Sequence, residues 1–121
     1  LTLTASRALE RFGVTANAIC PRARTAMTAQ VFGEAPEGEV DPLSPDHVVT
    51  LVRYLAGPDS AGVSGQVFVV YGPKVMLMAA PTVREVFAAD GDQWQPAALG
   101  AELGSFFESA DKGTFSAQDL M

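Results

Sequence analysis

One cysteine, one histidine and one tryptophan are all that 121 residues hold of those three types. Each scarcity closes a class of reading. Cys20 has no second thiol, so no internal disulfide staples the chain and an oxidising compartment is not indicated. His47 lacks a second histidine or a nearby cysteine, which leaves no ligand set for a transition metal. Charged residues make up only 18% of the chain and are unbalanced: eight Lys and Arg against fourteen Asp and Glu give a net charge of −6. That balance opposes the phosphate neutralisation through which proteins hold nucleic acid. No apolar run nears the roughly 20 residues that span a bilayer; Val75 to Ala80 is only the tail of a short strand-like stretch. With no signal-peptide pattern either, the expectation is a cytoplasmic chain with neither nucleic acid nor membrane as partner. An initiator Met is also missing. The chain opens on Leu1 and enters helical periodicity at once, so a processed, truncated or partial product is expected. What is present, 48% hydrophobic residues, suffices for one globular core.

Leu1, Ala5, Ala8, Leu9 and Phe12 fall at helical spacing, and Gly13 stands where a helix end wants a left-handed residue, which predicts a helix over 1–12. Val14 to Cys20 carries no charge and ends at Pro21, the pattern of a strand buried on both faces of a parallel sheet. A polar stretch follows, then a short helix around Met27 to Phe32 closed by Gly33, then an exposed acidic loop from Glu34 to Leu43. Ser44, Pro45 and Asp46 make a helix start, with a capping hydroxyl, a proline at the first helical position and a carboxylate near the positive end of the helix. Val48, Val49, Leu51, Val52 and Leu55 supply its apolar face, and Gly57 and Pro58 end it. Gln66 to Tyr71, between Gly65 and Gly72, is rich in β-branched and aromatic residues and predicts the clearest strand.

Strand, helix, strand reads as a right-handed βαβ unit. Two parallel strands alone leave the far edge of the first unpaired, which isolated domains avoid, so a missing upstream portion is expected. Beyond Tyr71, Thr82 and Glu85 match a capping box for a short helix through Phe87. Ala88 to Gln95 reads as a polar loop. Pro96 opens a last helix with Leu99, Leu103, Phe106 and Phe107 on one face, before a polar tail from Asp111 to Met121.

The run Arg11-Phe-Gly-Val-Thr-Ala-Asn-Ala-Ile-Cys-Pro21, followed by Ala23-Arg-Thr-Ala-Met-Thr28, resembles the segment of short-chain dehydrogenases/reductases that comes after their Tyr-x-x-x-Lys helix. A helix ending at glycine, an Asn on the strand, a proline opening the cofactor loop, a helix starting Ser-Pro-Asp and a final strand before glycine continue the likeness to about residue 80. The pattern is most similar to the 3-hydroxyacyl-CoA and hydroxysteroid dehydrogenase branch. The resemblance implies an α/β fold, the C-terminal part of a Rossmann-like, doubly wound parallel sheet. Residues 1–121 then form part of one NAD(P)-binding domain, with 81–121 as a C-terminal helical extension.

The resemblance also implies an oxidoreductase of lipid metabolism. It passes a hydride between NAD or NADP and a hydroxyl or keto carbon of an acyl-CoA or steroid-like substrate, and works as a homodimer or homotetramer. Two departures stand out. Arg22 occupies the place of a usual glycine, and Ala26 that of a common threonine. Moreover, the glycine-rich phosphate loop and the catalytic Ser, Tyr and Lys are absent from this sequence, so the segment alone is expected to be inactive.

Open α/β sheets bind ligands at the carboxyl ends of their strands, so Pro21, Arg22, Ala23, Arg24, Thr25 and Thr28 are the candidate cofactor-side residues. Arg22 and Arg24 suit a phosphate of a dinucleotide or of coenzyme A. The plainer alternative is that Pro21 stops the strand and both arginines are solvated. Cys20 is expected to be buried as a small apolar residue, and His47 to lie on the surface. Asp90, Asp92, Glu102 and Glu108 are expected on solvated faces, with Met76, Met78 and Trp94 in packing. Val67 to Tyr71 and Val75 to Met78 suit a subunit contact or, equally, the core. A rival from another class is a non-catalytic docking or structural module that pairs with a partner chain, and a third is a small unrelated α/β domain.

Overall fold

Helical spacing at the start of the chain produces helix α1 over Thr2–Leu9, continued by a tighter turn over Glu10–Phe12. It stops where glycine stands: Gly13 takes φ 69° and ψ 20°, the left-handed region that glycine enters at least cost. The computed structural model describes residues 1–111 and 113; most of the polar tail expected from Asp111 to Met121 lies outside them. Two compact units result, Leu1–Pro81 and a second from Thr82 onward.

In the first unit, strand β1 spans Ala18–Arg22, later than the sequence predicted. Residues 14–17 are instead a lead-in held by Asn17. Its Nδ2 donates to the Val63 carbonyl at 2.8 Å, and its Oδ1 accepts the Gln66 N–H at 3.0 Å. Nor is the strand buried on both faces: Cys20 and Pro21 are exposed and no β1 residue is fully buried. The reason is its place at one end of the sheet order β1-β2-β3, where it has one neighbour only. Pro21 does not end β1. The Ala18 N–H donates toward the β2 side, to Gln66 O at 2.8 Å. Strand alternation then turns the backbone N of residues 19 and 21 to the open edge, where a missing donor breaks no ladder bond.

A short helix α2, Ala29–Phe32, ends at Gly33, and helix α3 spans Asp46–Ala56. Its entry comes one residue later than the Ser44 cap implied, yet the Ser44 hydroxyl still accepts the Asp46 N–H at 3.2 Å. Leu51 is buried, with Val48 and Leu55 partly so, whereas Val49 and Val52 are 48% and 46% exposed. The buried stripe of α3 is thus narrower than its apolar content. Ser60, almost wholly buried, closes the helix end by donating to the carbonyls of Leu55 at 2.9 Å and Gly57 at 3.0 Å.

Strand β2, Val67–Tyr71, pairs in parallel with β1, Ala18 opposite Val67 through Arg22 opposite Tyr71. It is the central strand, and Phe68, Val69 and Val70 are all buried, as a continuous apolar run requires. A third strand, β3 over Lys74–Leu77, returns antiparallel from Tyr71 opposite Lys74. The sequence had shown only a strand-like stretch there. Gly72 (φ 55°) followed by Pro73 makes the turn, glycine supplying the positive φ that a tight hairpin needs. The core gathers Leu51, Phe68 and Val70 with Ile19, Val48, Leu55 and Val63.

In the second unit, helix α4 spans Pro96–Ser109 with proline in its first turn. Phe106 meets Phe87 edge-on at 5.3 Å between ring centroids. Thr82 to Phe87 is not helical. Glu85 accepts the N–H of the adjacent Val86 at 3.3 Å instead of reaching back to a cap. Val83 and Val86 stay exposed, so a helix there buries no stripe.

Leu51→Ala is expected to destabilise the protein by about 2–5 kcal/mol, whereas Val40→Ala, at an exposed side chain, stays within roughly 0.5 kcal/mol. Urea unfolding followed by circular dichroism reads both. Equal losses would contradict the core assigned here.

Candidate functional site

The parallel pairing brings the carboxyl ends of β1 and β2 together, and the candidate residues leave the sheet there. Arg22 lies opposite Tyr71 in the ladder. Its guanidinium carbon sits 5.4 Å from the Tyr71 ring centroid and 5.8 Å from that of Phe32, within reach of a cation–π attraction. Pro21 and Thr25 are exposed, while Ala23 and Thr28 are half-buried.

Thr25 to Thr28 form a tight turn. The Thr28 N–H donates to the Thr25 carbonyl at 3.0 Å, the Thr28 hydroxyl donates to the Ala23 carbonyl at 2.8 Å, and it accepts the Thr25 N–H at 2.8 Å. Hydroxyl-to-backbone bonds of this kind suit a turn better than a helix. The Thr25 hydroxyl, 3.2 Å from that of Thr28, faces solvent.

Arg24 is neither solvated nor turned outward. Its Nε donates to Asp41 Oδ2 at 3.0 Å and its Nη2 to Oδ1 at 3.4 Å. Nη1 donates to the carbonyl of Phe32 at 2.6 Å and to that of Gly33. Backbone bonding adds to this, the Arg24 N–H reaching the Leu43 carbonyl at 2.7 Å. Arg24 thereby ties three separated stretches, near 24, 32–33 and 41–43. Asp41, placed by the sequence in an exposed loop, is half-buried. It also accepts the Leu43 N–H at 2.8 Å. The Arg24 hydrogen bond, first, and the Leu43 N–H, second, hold its carboxyl below the usual carboxylate range. Nothing in residue spacing pointed to Asp41. An arginine reaching across 17 positions of loop leaves no periodic signal.

The 41–43 stretch also rests on the hairpin turn. Gly72 is buried, and a Cβ there would stand 3.0 Å from the Pro42 carbonyl oxygen. Beside it, an open cleft of about 330 Å³ is lined by His47, Thr50, Leu51, Tyr54, Gly72, Pro73 and Val75. His47 is therefore not the surface residue expected. It is half-buried, and its Nε2 is shielded without a hydrogen-bond partner among the described residues. Its place on the first turn of α3, against the Gly72–Pro73 turn, is the cause. Cys20, expected to be buried, is exposed on the end strand.

Val67 to Tyr71 turns inward as core, while Val75 and Leu77 of β3 are 52% and 61% exposed. In the second unit Asp90, Asp92, Glu102 and Glu108 are exposed. Asp90 and Glu102 border, with a half-buried Trp94, a cleft of about 670 Å³. Met76 and Met78 are half-buried. Among the described residues no cluster of histidine, cysteine and carboxylates is arranged to hold a metal ion, and no helix is long and apolar enough to cross a membrane.

Against known proteins, no family model matches the chain. It is 58% identical over 125 residues to hydroxyacyl-CoA dehydrogenase ChsB1 of Mycobacterium tuberculosis (strain ATCC 25618 / H37Rv), an alignment that covers 100% of this chain and 39% of that protein. The crystal structure of a short chain dehydrogenase from Mycobacterium avium superposes with a TM-score of 0.66 at 31% identity, over 91% of this chain and 36% of that one. The chain thus spans well under half the length of either relative. A Rossmann-like α/β arrangement, with a mixed sheet and flanking helices, is what it shares with the solved structure.

The lowered Asp41 pKa fixes the sign of a pH dependence. A carboxyl whose folded value lies below its unfolded value of about 4 contributes stability that is complete above that value and is lost as pH falls through the folded one. Asp41→Asn is expected to lower the melting temperature at pH 7, and the gap from the parent should close as both are taken below about pH 4. Thermal melts at stepped pH check this; a gap that widens on acidification would contradict it.

Proposed function

We propose, for a chain that has the fold of the short-chain dehydrogenase/reductase family and stands close to its hydroxyacyl-CoA dehydrogenase branch, that it is the C-terminal part of an NAD(P)-dependent oxidoreductase acting on a hydroxyacyl-CoA-like substrate. The observation that carries the reading is the loop leaving the carboxyl end of β1 beside that of β2, the place where open α/β sheets bind ligands. A nucleotide cofactor supplies, when bound, the hydride acceptor or donor.

This chain's residues serve binding and orientation. Pro21 to Thr28 form the cofactor-side wall, with the exposed Thr25 hydroxyl and the backbone around Ala23 as its polar groups. Arg22 holds the loop base against Tyr71. The fit is to an uncharged portion of the cofactor, because of the two candidates for a phosphate Arg24 has its donors engaged at Asp41, Phe32 and Gly33 and Arg22 lies over the Tyr71 and Phe32 rings. Residues 25–40 form an arm on the substrate side, and 81–121 are the C-terminal extension of the domain in sequence. Acid–base chemistry belongs to the Tyr and Lys of a Tyr-x-x-x-Lys motif, which this sequence does not contain. A single thiol accords with a cytoplasmic setting.

The longer protein carrying this chain is expected to oxidise a hydroxyacyl-CoA with NAD or NADP, followed by reduced nicotinamide absorbance, whereas the 121-residue chain shows no turnover. Turnover by the short chain, or none by the long one with any acyl length or either cofactor, would sink the reading. Tyr54 on α3 and Val75 on β3 border one open cleft, and Leu77 lies on the same strand face as Val75; all three are exposed apolar side chains. They are suited to contact between copies in a dimer or tetramer. Leu77→Asp is expected to shift the longer protein toward monomer in light scattering; an unchanged mass would remove this face from the interface.

A further inference from the structure

Residues 25–40 have little to hold them. Met27, Val31 and Val40 are 93%, 80% and 83% exposed, α2 is a single four-residue turn, and no residue from 25 to 40 is buried. A segment with so little apolar burial is expected to open locally unless polar bonds fix it. Besides the backbone bond from the Arg24 N–H to the Leu43 carbonyl, the bonds that close its two ends onto each other converge on one side chain. The Arg24 guanidinium reaches the far end of the arm at Asp41 with two nitrogens, and with the third it takes the Phe32 and Gly33 carbonyls in the middle. Those carbonyls are the unpaired acceptors that any helix end leaves. The Arg24 and Asp41 side chains are only 15% and 17% exposed, so the pair is largely shielded from the screening that makes surface ion pairs weak. A planar fork with five donors spread over three nitrogens reaches four acceptors on two separate stretches at once; an ammonium, with three donors on a single nitrogen, does not.

We propose that Arg24 is a positioning residue, the latch that keeps residues 25–40 folded as a preformed arm, and not a ligand for a cofactor or coenzyme A phosphate. This rests on the preceding reading for the arm's place beside the substrate, but the latch itself is a property of the loop. The two are therefore tested with separate readouts. A phosphate ligand needs free donors and is hindered by a carboxylate beside it. A latch needs that carboxylate.

Arg24→Met and Asp41→Asn, made singly and together in the longer protein, separate these roles. Exposed Glu34, Glu37 and Glu39 make the arm a substrate for a Glu-specific protease, with cleavage sites mapped by mass spectrometry. Each single variant is expected to cut in the arm about tenfold faster than the parent at unchanged circular dichroism, and the double variant no faster than the singles, because the two residues form one device. In turnover, each is expected to raise KM for the hydroxyacyl substrate by roughly tenfold, as loss of a preformed binding arm does, and any change in KM for the nicotinamide cofactor is expected to be equal in the two single variants, because Thr25 and Thr28 belong to both the arm and the cofactor-side wall. Arg24→Lys should not rescue. Parent-like arm cleavage in either single variant overturns the latch, as does a raised cofactor KM in Arg24→Met alone. Faster arm cleavage in a protein that turns over no hydroxyacyl substrate would uphold the latch and overturn only the functional reading. Asp41→Asn keeps the test open if Arg24→Met fails to fold.

Discussion

Two adjacent strands can run in the same direction only if the chain travels back along the sheet between them, and the rest of this molecule follows from that constraint on β1 and β2. The return journey uses α3, whose Leu51 packs on Phe68 and Val70, so the helix that makes the pairing possible also makes the core. Register is pinned at the start of the pair by Asn17, which donates to Val63 and accepts from Gln66. One side chain thereby satisfies two backbone groups that the ladder has not yet reached. At the other end the same pairing sets Arg22 beside Tyr71, and everything proposed for function begins there.

From that point the chain must cross from the end of β1 to the start of α3 without a core of its own. Polar bonds take over where apolar burial stops. Arg24 and Asp41 join the loop to itself, and Pro42 lies so close to Gly72 that a Cβ there would stand 3.0 Å from the Pro42 carbonyl oxygen. The loop is therefore held at its far end by the Arg24–Asp41 pair, by the Arg24 N–H on the Leu43 carbonyl and by the burial of Leu43, and residues 25–40 between these points are largely exposed. Such an arrangement suits a binding arm, which must present apolar side chains to a ligand without losing its shape to water.

Elements that bury a periodic stripe, stop at a glycine or open on a proline were legible in the sequence: α1 with Gly13, β2 between Gly65 and Gly72, α3 after Ser44, and α4 from Pro96. The errors share a cause, which is that tertiary surroundings decide what local pattern leaves open. Val14 to Asn17 has strand composition, yet Asn17 binds across the unit and delays β1. Thr82 and Glu85 have capping-box spacing, yet with Val83 and Val86 exposed no apolar face supports a helix. Cys20 reads as buried because small apolar residues usually are, and is exposed because β1 lies at the end of the sheet. The candidate loop, 21–28, is proposed from the rule for carboxyl ends of parallel strands and from family likeness. The division of work within it was not legible, since the partners of Arg24 come from loop residues with no spacing relation to it.

Amide hydrogen exchange across Arg22 to Thr28 in the longer protein, with and without saturating NAD(P), tests the central claim that this loop is the cofactor-side wall of a dehydrogenase. The account predicts slower exchange in that stretch on cofactor binding, with α4 unaffected. Unchanged exchange there at full cofactor occupancy would contradict it.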